Sequence, residues 1–75
     1  MTQQQEYIVI AEHERYTRES TCTDRYQIIE SLVDELYDGD IRQIAILARD
    51  PEAGPMAQAD PDIRQIIEEA PTCKR

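Results

Sequence analysis

The sequence predicts a small α+β domain in the order β–α–β–(β)–α, with two helices packed on one face of a two- to four-stranded sheet. Two short runs rich in β-branched residues, at 7–11 and 41–49, read as strands. Between them, Ile29, Leu32, Val33 and Leu36 recur at i, i+3, i+4 and i+7, the spacing of one helix face. A second apolar stripe, Ile63, Ile66 and Ile67, follows the helix-starting triplet Asp60-Pro61-Asp62.

The first strand is Tyr7-Ile8-Val9-Ile10-Ala11, which residues 12–16 extend toward solvent. Residues 17–23 are polar and Ser/Thr-rich, the composition of a loop or a weak edge strand. The first helix covers about residues 24–38. Asp24 caps it, Gln27 stands three residues on as in a capping box, and Gly39 ends it at the C′ position. Ile28 and Tyr37 widen its apolar stripe.

The run 41–49 is almost continuously apolar, as in strands that are covered on both faces or central in their sheet. A helical crossover would make it parallel to the first strand. Asp50-Pro51-Glu52-Ala53-Gly54 reads as a turn, and residues 55–59 as a short returning edge strand to which Pro55 is confined. The second helix runs from Asp60 to Ala70-Pro71. The whole chain, 1–75, makes one domain, with 1–5 and 72–75 expected to fray.

Composition narrows the function classes. The 75 residues carry 16 acids against 8 bases, a formal net charge of −8. Ten Ile, three Leu and two Val supply the large aliphatics, and Phe and Trp are absent. A core this small is marginal, so a partner or a homodimer would help it. Direct binding to nucleic acid or to an anionic membrane needs clustered bases, and the one lysine is Lys74. A basic protein surface would attract the chain instead. No run approaches the ~20 apolar residues of a membrane span. Residues 1–6 lack a signal-peptide pattern, so the expected setting is the cytoplasm.

Catalytic and metal signals are sparse. His13 is the single histidine, flanked by Glu12 and Glu14 that alternate to the other strand face. It reads as a surface residue, although a Cys22–His13 pair is conceivable. Cysteine chemistry needs an electropositive setting, which an acidic chain does not offer. Cys22 and Cys73 read as thiols of a reducing compartment rather than as a bridge. No Cys-x-x-Cys, helical His pair, calcium loop or phosphate loop occurs, so no enzyme activity, metal or cofactor is expected.

The informative feature is acidic. Glu30, Asp34 and Asp38 recur every four residues on the first helix, with Glu35 and Asp40 beside them. Opposite the apolar stripe, these acids should face water. Acids at a helix C-terminus, with Arg25 at its start, run against the helix dipole. The like-charged pairs Glu30/Asp34 and Asp34/Asp38 each cost a few tenths of a kcal/mol, on the order of 0.2–0.5. Arg42, just past the helix, would neutralise part of the ridge. One acid per about 6 Å is too sparse to imitate duplex DNA, which carries one charge per ~1.7 Å, so mimicry would need acids from several elements. Of the four tyrosines, Tyr16, beside Arg15 and Arg18, is the exposed candidate for a contact, while Tyr26 and Tyr37 should border the core.

The run from Tyr7 through Glu12-His13-Glu14-Arg15-Tyr16, the acidic helix, Ile44-Ala45-Ile46-Leu47 and the turn Asp50 to Gly54 together resemble small acidic proteins of phages and mobile elements of the anti-CRISPR kind. The likeness covers most of the chain in style and contains no diagnostic motif. It implies a non-catalytic inhibitor that occludes the nucleic-acid-binding surface of a CRISPR effector, in the host cytoplasm. Glu30, Asp34, Glu35, Asp38, Asp40 and Tyr16 are the partner-binding residues this sequence offers. The alternative is a homodimeric structural module without inhibitory activity.

Overall fold

The computed structural model describes residues 5–70. The chain is α+β: β1 (Tyr7–His13), β2 (Thr17–Cys22), α1 (Arg25–Asp38), β3 (Ile41–Ala48), α2 (Ala53–Gln58) and α3 (Pro61–Glu69). The strands form one antiparallel sheet in the order β2-β1-β3.

The polar segment after β1 is therefore a full edge strand, with Tyr7 opposite Cys22 and Glu12 opposite Thr17. Its presence corrects the parallel crossover. A hairpin reverses the chain before α1 carries it across, so β3 runs parallel to β2 and antiparallel to β1 between them. The apolar run in β3 does not mark a central strand either: β3 is an edge, and β1 is the centre. Residues 55–59 do not return as a strand. They belong to α2, with Pro55 in its first turn, where a missing N–H costs little.

α2 lies on the backbone of β3. A Cβ on Gly54 would stand 2.7 Å from the Ile46 carbonyl oxygen, so a residue without a side chain permits this approach. Among the described residues there are thus three helices where two were expected, and α2 is the unforeseen one.

Strand alternation sorts the sheet into two faces. Tyr7, Val9, Ala11 and His13 point to one side, together with Cys22, Ile44 and Ile46. Ile28 and Leu32 of α1 and Ile63 of α3 cover that side and complete the core. The buried stripe of α1 is Ile28, Leu32 and Glu35, at i, i+4 and i+7. Ile29 and Leu36 pack at its margin, while Val33 and Tyr37 point to solvent. The helix is rotated from the expected orientation because Glu35 goes inward. Tyr26 and Tyr37 are correspondingly exposed and do not border the core.

Both long helices begin on aspartate caps. Asp24 accepts from the Gln27 amide, and the Gln27 side chain in return accepts from Thr23 N–H at 2.7 Å. Asp60 accepts from the amides of Asp62 and Ile63. Arg25, misplaced for its own helix dipole, is explained by the neighbouring helix: its guanidinium reaches Asp60 at 2.7 Å and also pairs with Asp62. Gly39 closes α1 at φ +78°, donating its N–H to the Glu35 carbonyl, and Asp40 follows at φ +56°. Cys73 and the terminal segments expected to fray lie outside the described residues, apart from Gln5.

Candidate functional site

The most concentrated chemistry lies where β1, the β1–β2 turn and the end of α1 meet. His13 ends β1 on the covered face and is 3% exposed. Its Nε2 stands 2.6 Å from Oε1 of Glu35, and its Nδ1 stands 2.9 Å from the Gly39 carbonyl oxygen. The Tyr16 ring stacks on the imidazole at 4.4 Å between centroids. Arg18, on β2, reaches Asp38 at 2.9 Å and Glu35 Oε2 at 3.4 Å, and its guanidinium lies over the Tyr16 ring. The Tyr16 hydroxyl donates to Asp38 at 3.3 Å.

These contacts favour the protonated form of His13. A carbonyl oxygen only accepts, so Nδ1 carries a proton. Nε2 faces the Glu35 carboxyl group, a partner that favours the imidazolium over the neutral ring. Burial pushes its pKa down, but the Glu35 hydrogen bond and charge, with the Gly39 carbonyl, outweigh it and raise the pKa above 6.5. Arg18 opposes that rise. The cluster balances two cations, His13 and Arg18, against two anions, Glu35 and Asp38. With both ring nitrogens engaged and Tyr16 over one ring face, the imidazolium has no lone pair with which to accept a proton.

Several expectations change here. His13 is buried rather than a surface residue. Glu35 does not face water: at 2% exposure it is a core residue. Arg18, not Arg42, neutralises the end of the ridge. The Cys22–His13 pair does not form. Cys22 faces Tyr7 at the other end of β1, about 20 Å from His13 at ~3.3 Å per residue. Burial, with Asp24 nearby, pushes the Cys22 thiol pKa up, which disfavours the nucleophilic thiolate.

The remaining candidates separate into two groups. Tyr16 and Asp38 belong to the His13 cluster, but both keep exposed surface. Glu30 and Asp34 lie on the open flank of α1, where they border a polar groove with Ser20, Thr21 and Gln27 beside β2. Asp40 is exposed, and its backbone carbonyl accepts from Glu14 N–H at 3.1 Å. Among the described residues, Glu30, Asp34 and Asp40 have no cationic side chain within ion-pair distance.

One surface was not anticipated. The sheet face opposite the core carries Ile8 and Ile10 from β1 and Ala45 and Leu47 from β3, paired side by side. Ile8 is 38% and Leu47 51% exposed. Beyond β3, Ala45 and Leu47 continue into a groove lined by Pro51, Pro55, Ala59 and Ile67. The sequence signal for this face was the uninterrupted apolar character of 7–11 and 44–48, which leaves large apolar residues on both sides of a sheet covered on one.

No helix among the described residues is long and apolar enough to cross a membrane. Comparison with protein-family models, with curated proteins and with solved structures finds no match.

Proposed function

We propose that this chain is a non-catalytic, acidic protein-binding inhibitor that docks on a basic surface of a nucleic-acid-binding protein, in the manner its resemblance to anti-CRISPR proteins implies. The observation that supports it is the distribution of unneutralised charge. Glu12, Glu19, Glu30 and Asp34 are exposed and belong to no ion pair among the described residues. With a net charge of −8, such a surface steers toward cationic partners and competes with phosphate for their Lys and Arg side chains. Tyr16 and Asp38 add contact area at one end of α1.

The test is affinity capture from nuclease-treated lysate, comparing wild type with a folded Glu12→Lys/Glu19→Lys/Glu30→Lys/Asp34→Lys variant. The expected result is a nucleic-acid-binding protein recovered by wild type, released by moderate salt, whose nucleic-acid binding the wild type blocks. Equal capture by the variant removes charge from the mechanism. A captured partner whose nucleic-acid binding is unaffected removes occlusion.

A further inference from the structure

We infer that the outward face of α1 is a seam for a helix of the partner protein, which lies along Tyr26, Glu30, Val33 and Tyr37 and sets a Lys or Arg against Glu30 and Asp34. This rests on the proposed binding function and names the surface, the occupant and the contact. The four seam residues stand at i, i+4, i+7 and i+11, the alternating spacing along which two helices pack. At 3.6 residues per turn they lie on the side of α1 opposite its buried residues, Ile28, Leu32 and Glu35.

Solvent alone does not call for these side chains. Tyr37 is 91% and Tyr26 74% exposed, and Val33 is half-exposed between them. Tyrosine is among the residues most enriched in binding hot spots, and here a packed helix holds two rings out into water. From Tyr26 to Tyr37 the seam runs about 17 Å, three turns, which one partner helix of similar length covers.

The middle of the seam decides the charge of the occupant. Glu30 sits between the apolar positions, and Asp34 stands one turn on, so both edge the polar groove between α1 and β2. Ser20, Thr21, Gln27 and Ser31 share that groove, and no base lines it. A cation entering there meets two carboxylates, with hydroxyl and amide oxygens to replace its water. The neighbouring bases stand at the ends of α1. Arg25 is held by Asp60 and Asp62, and Arg18 by Glu35 and Asp38. Arg15 is on the β1–β2 turn, beside Tyr16. Between Tyr26 and Tyr37 the helix carries acids and no base. A second copy is therefore a poor occupant. Paired antiparallel with the tyrosines exchanged, Glu30 and Asp34 of one protomer meet Asp34 and Glu30 of the other; paired parallel, Glu30 meets Glu30.

The experiment uses defined probes and the full chain. A synthetic leucine–lysine amphipathic helix of about 14 residues, and a leucine–glutamate counterpart, are titrated into the 15N-labelled protein. The expected result is lysine-peptide binding that perturbs the amides of Ser20, Tyr26, Glu30, Val33, Asp34 and Tyr37, with no response to the glutamate peptide. Tyr26→Ser/Tyr37→Ser, and separately Glu30→Gln/Asp34→Asn, should each weaken binding about tenfold or more while the circular dichroism stays that of wild type. Leu47→Asp, on the helix-free sheet face, should leave binding unchanged. If Glu30→Gln/Asp34→Asn weakens binding and Tyr26→Ser/Tyr37→Ser does not, the seam is overturned while an acidic binding protein stands. Perturbed amides on the sheet face, with binding lost in Leu47→Asp, overturn it equally. If the lysine peptide does not bind at low salt, the seam and the attraction to cationic partners both fall. Self-association abolished by Tyr26→Ser/Tyr37→Ser would replace the partner helix with a second copy and overturn the assignment.

Discussion

His13 and Glu35 lie 22 positions apart in sequence and meet at 2.6 Å inside the domain, tying the end of the central strand to the last turns of α1. Because the folded pKa of His13 is raised, the cluster ties stability to pH. The groups facing the imidazole are Glu35 and the Gly39 carbonyl from α1 and its cap, with Tyr16 and Arg18 from the hairpin. Asp38 stands behind them, against Arg18 and Tyr16. The folded state binds the His13 proton more tightly than the unfolded chain does. Its contribution is therefore complete below about 6.5, the ordinary histidine value, and is lost as pH rises through the higher folded value. Asp60 works at the other end: its hydrogen bond from Arg25 holds its carboxyl below the usual carboxylate range, so its contribution is lost as pH falls through that lower value. Urea unfolding across pH 5 to 9 should show stability declining toward the alkaline side, in step with the NMR titration of the His13 ring. A His13→Gln variant should lose that slope.

Removing one partner of this pair should cost more than removing both. Glu35→Ala removes the group that holds the His13 proton, so the buried ring sheds its charge and its Nε2 is left without a partner, a cost of about 1–3 kcal/mol for a buried polar group left unpaired. Small domains hold only about 5–15 kcal/mol in total, so Glu35→Ala should be largely unfolded well below the denaturant midpoint of wild type. The double variant His13→Leu/Glu35→Leu removes both charges and keeps apolar volume at the site. It should recover most of the loss, as equilibrium denaturation will measure. Equal destabilisation in single and double variants would show that packing, not charge pairing, holds this corner.

The pair also shows what was legible in the sequence. The α+β class, both long helices, their aspartate caps and two of three strands follow from local spacing and capping chemistry. The polar strand β2 has no apolar alternation to mark it, because its sequence Thr-Arg-Glu-Ser-Thr-Cys sits at a sheet edge and is paired on one side. α2 is concealed by Pro55 and Gly54, two breakers that in this setting occupy a helical first turn and a close approach to β3.

The site was half visible. Glu35 falls at i+7 from Ile28 and i+3 from Leu32, inside the apolar stripe, and His13 continues the alternation Val9, Ala11. Each is a polar residue standing at a core position of its own element. Read singly they look like surface residues; read together they announce a buried pair. The α1 stripe can be drawn through Val33 as easily as through Glu35, and only the partner on β1 decides between them.

Gly54 offers a separate check on the unforeseen helix. Gly54→Ala places a methyl group 2.7 Å from the Ile46 carbonyl oxygen and 3.3 Å from the Leu47 Cα. These are backbone atoms of a paired strand, so α2 must move instead. The expected loss is about 1–3 kcal/mol, typical of overpacking, with amide shifts concentrated in 45–48 and 53–59. At Gly39 nothing lies within 4 Å of an added Cβ, but φ is +78°. Gly39→Ala should therefore cost about 1–2 kcal/mol through backbone strain, with its spectral changes centred on the end of α1 and the His13 ring.

The exposed ridge on α1 separates stability from binding. Asp34 stands four residues from both Glu30 and Asp38, repelling each by a few tenths of a kcal/mol, on the order of 0.2–0.5. Asp34→Lys converts both neighbours into attractive pairs, with Glu30 on the favourable N-terminal side of the new lysine. The variant should gain about 0.5–1 kcal/mol in denaturant unfolding. The gain should shrink in high salt, since these groups are exposed. If Asp34 is kept for a partner rather than for the fold, the same variant should bind the captured partner of the wild type more weakly. A variant that is both more stable and undiminished in binding would leave Asp34 no part in recognition.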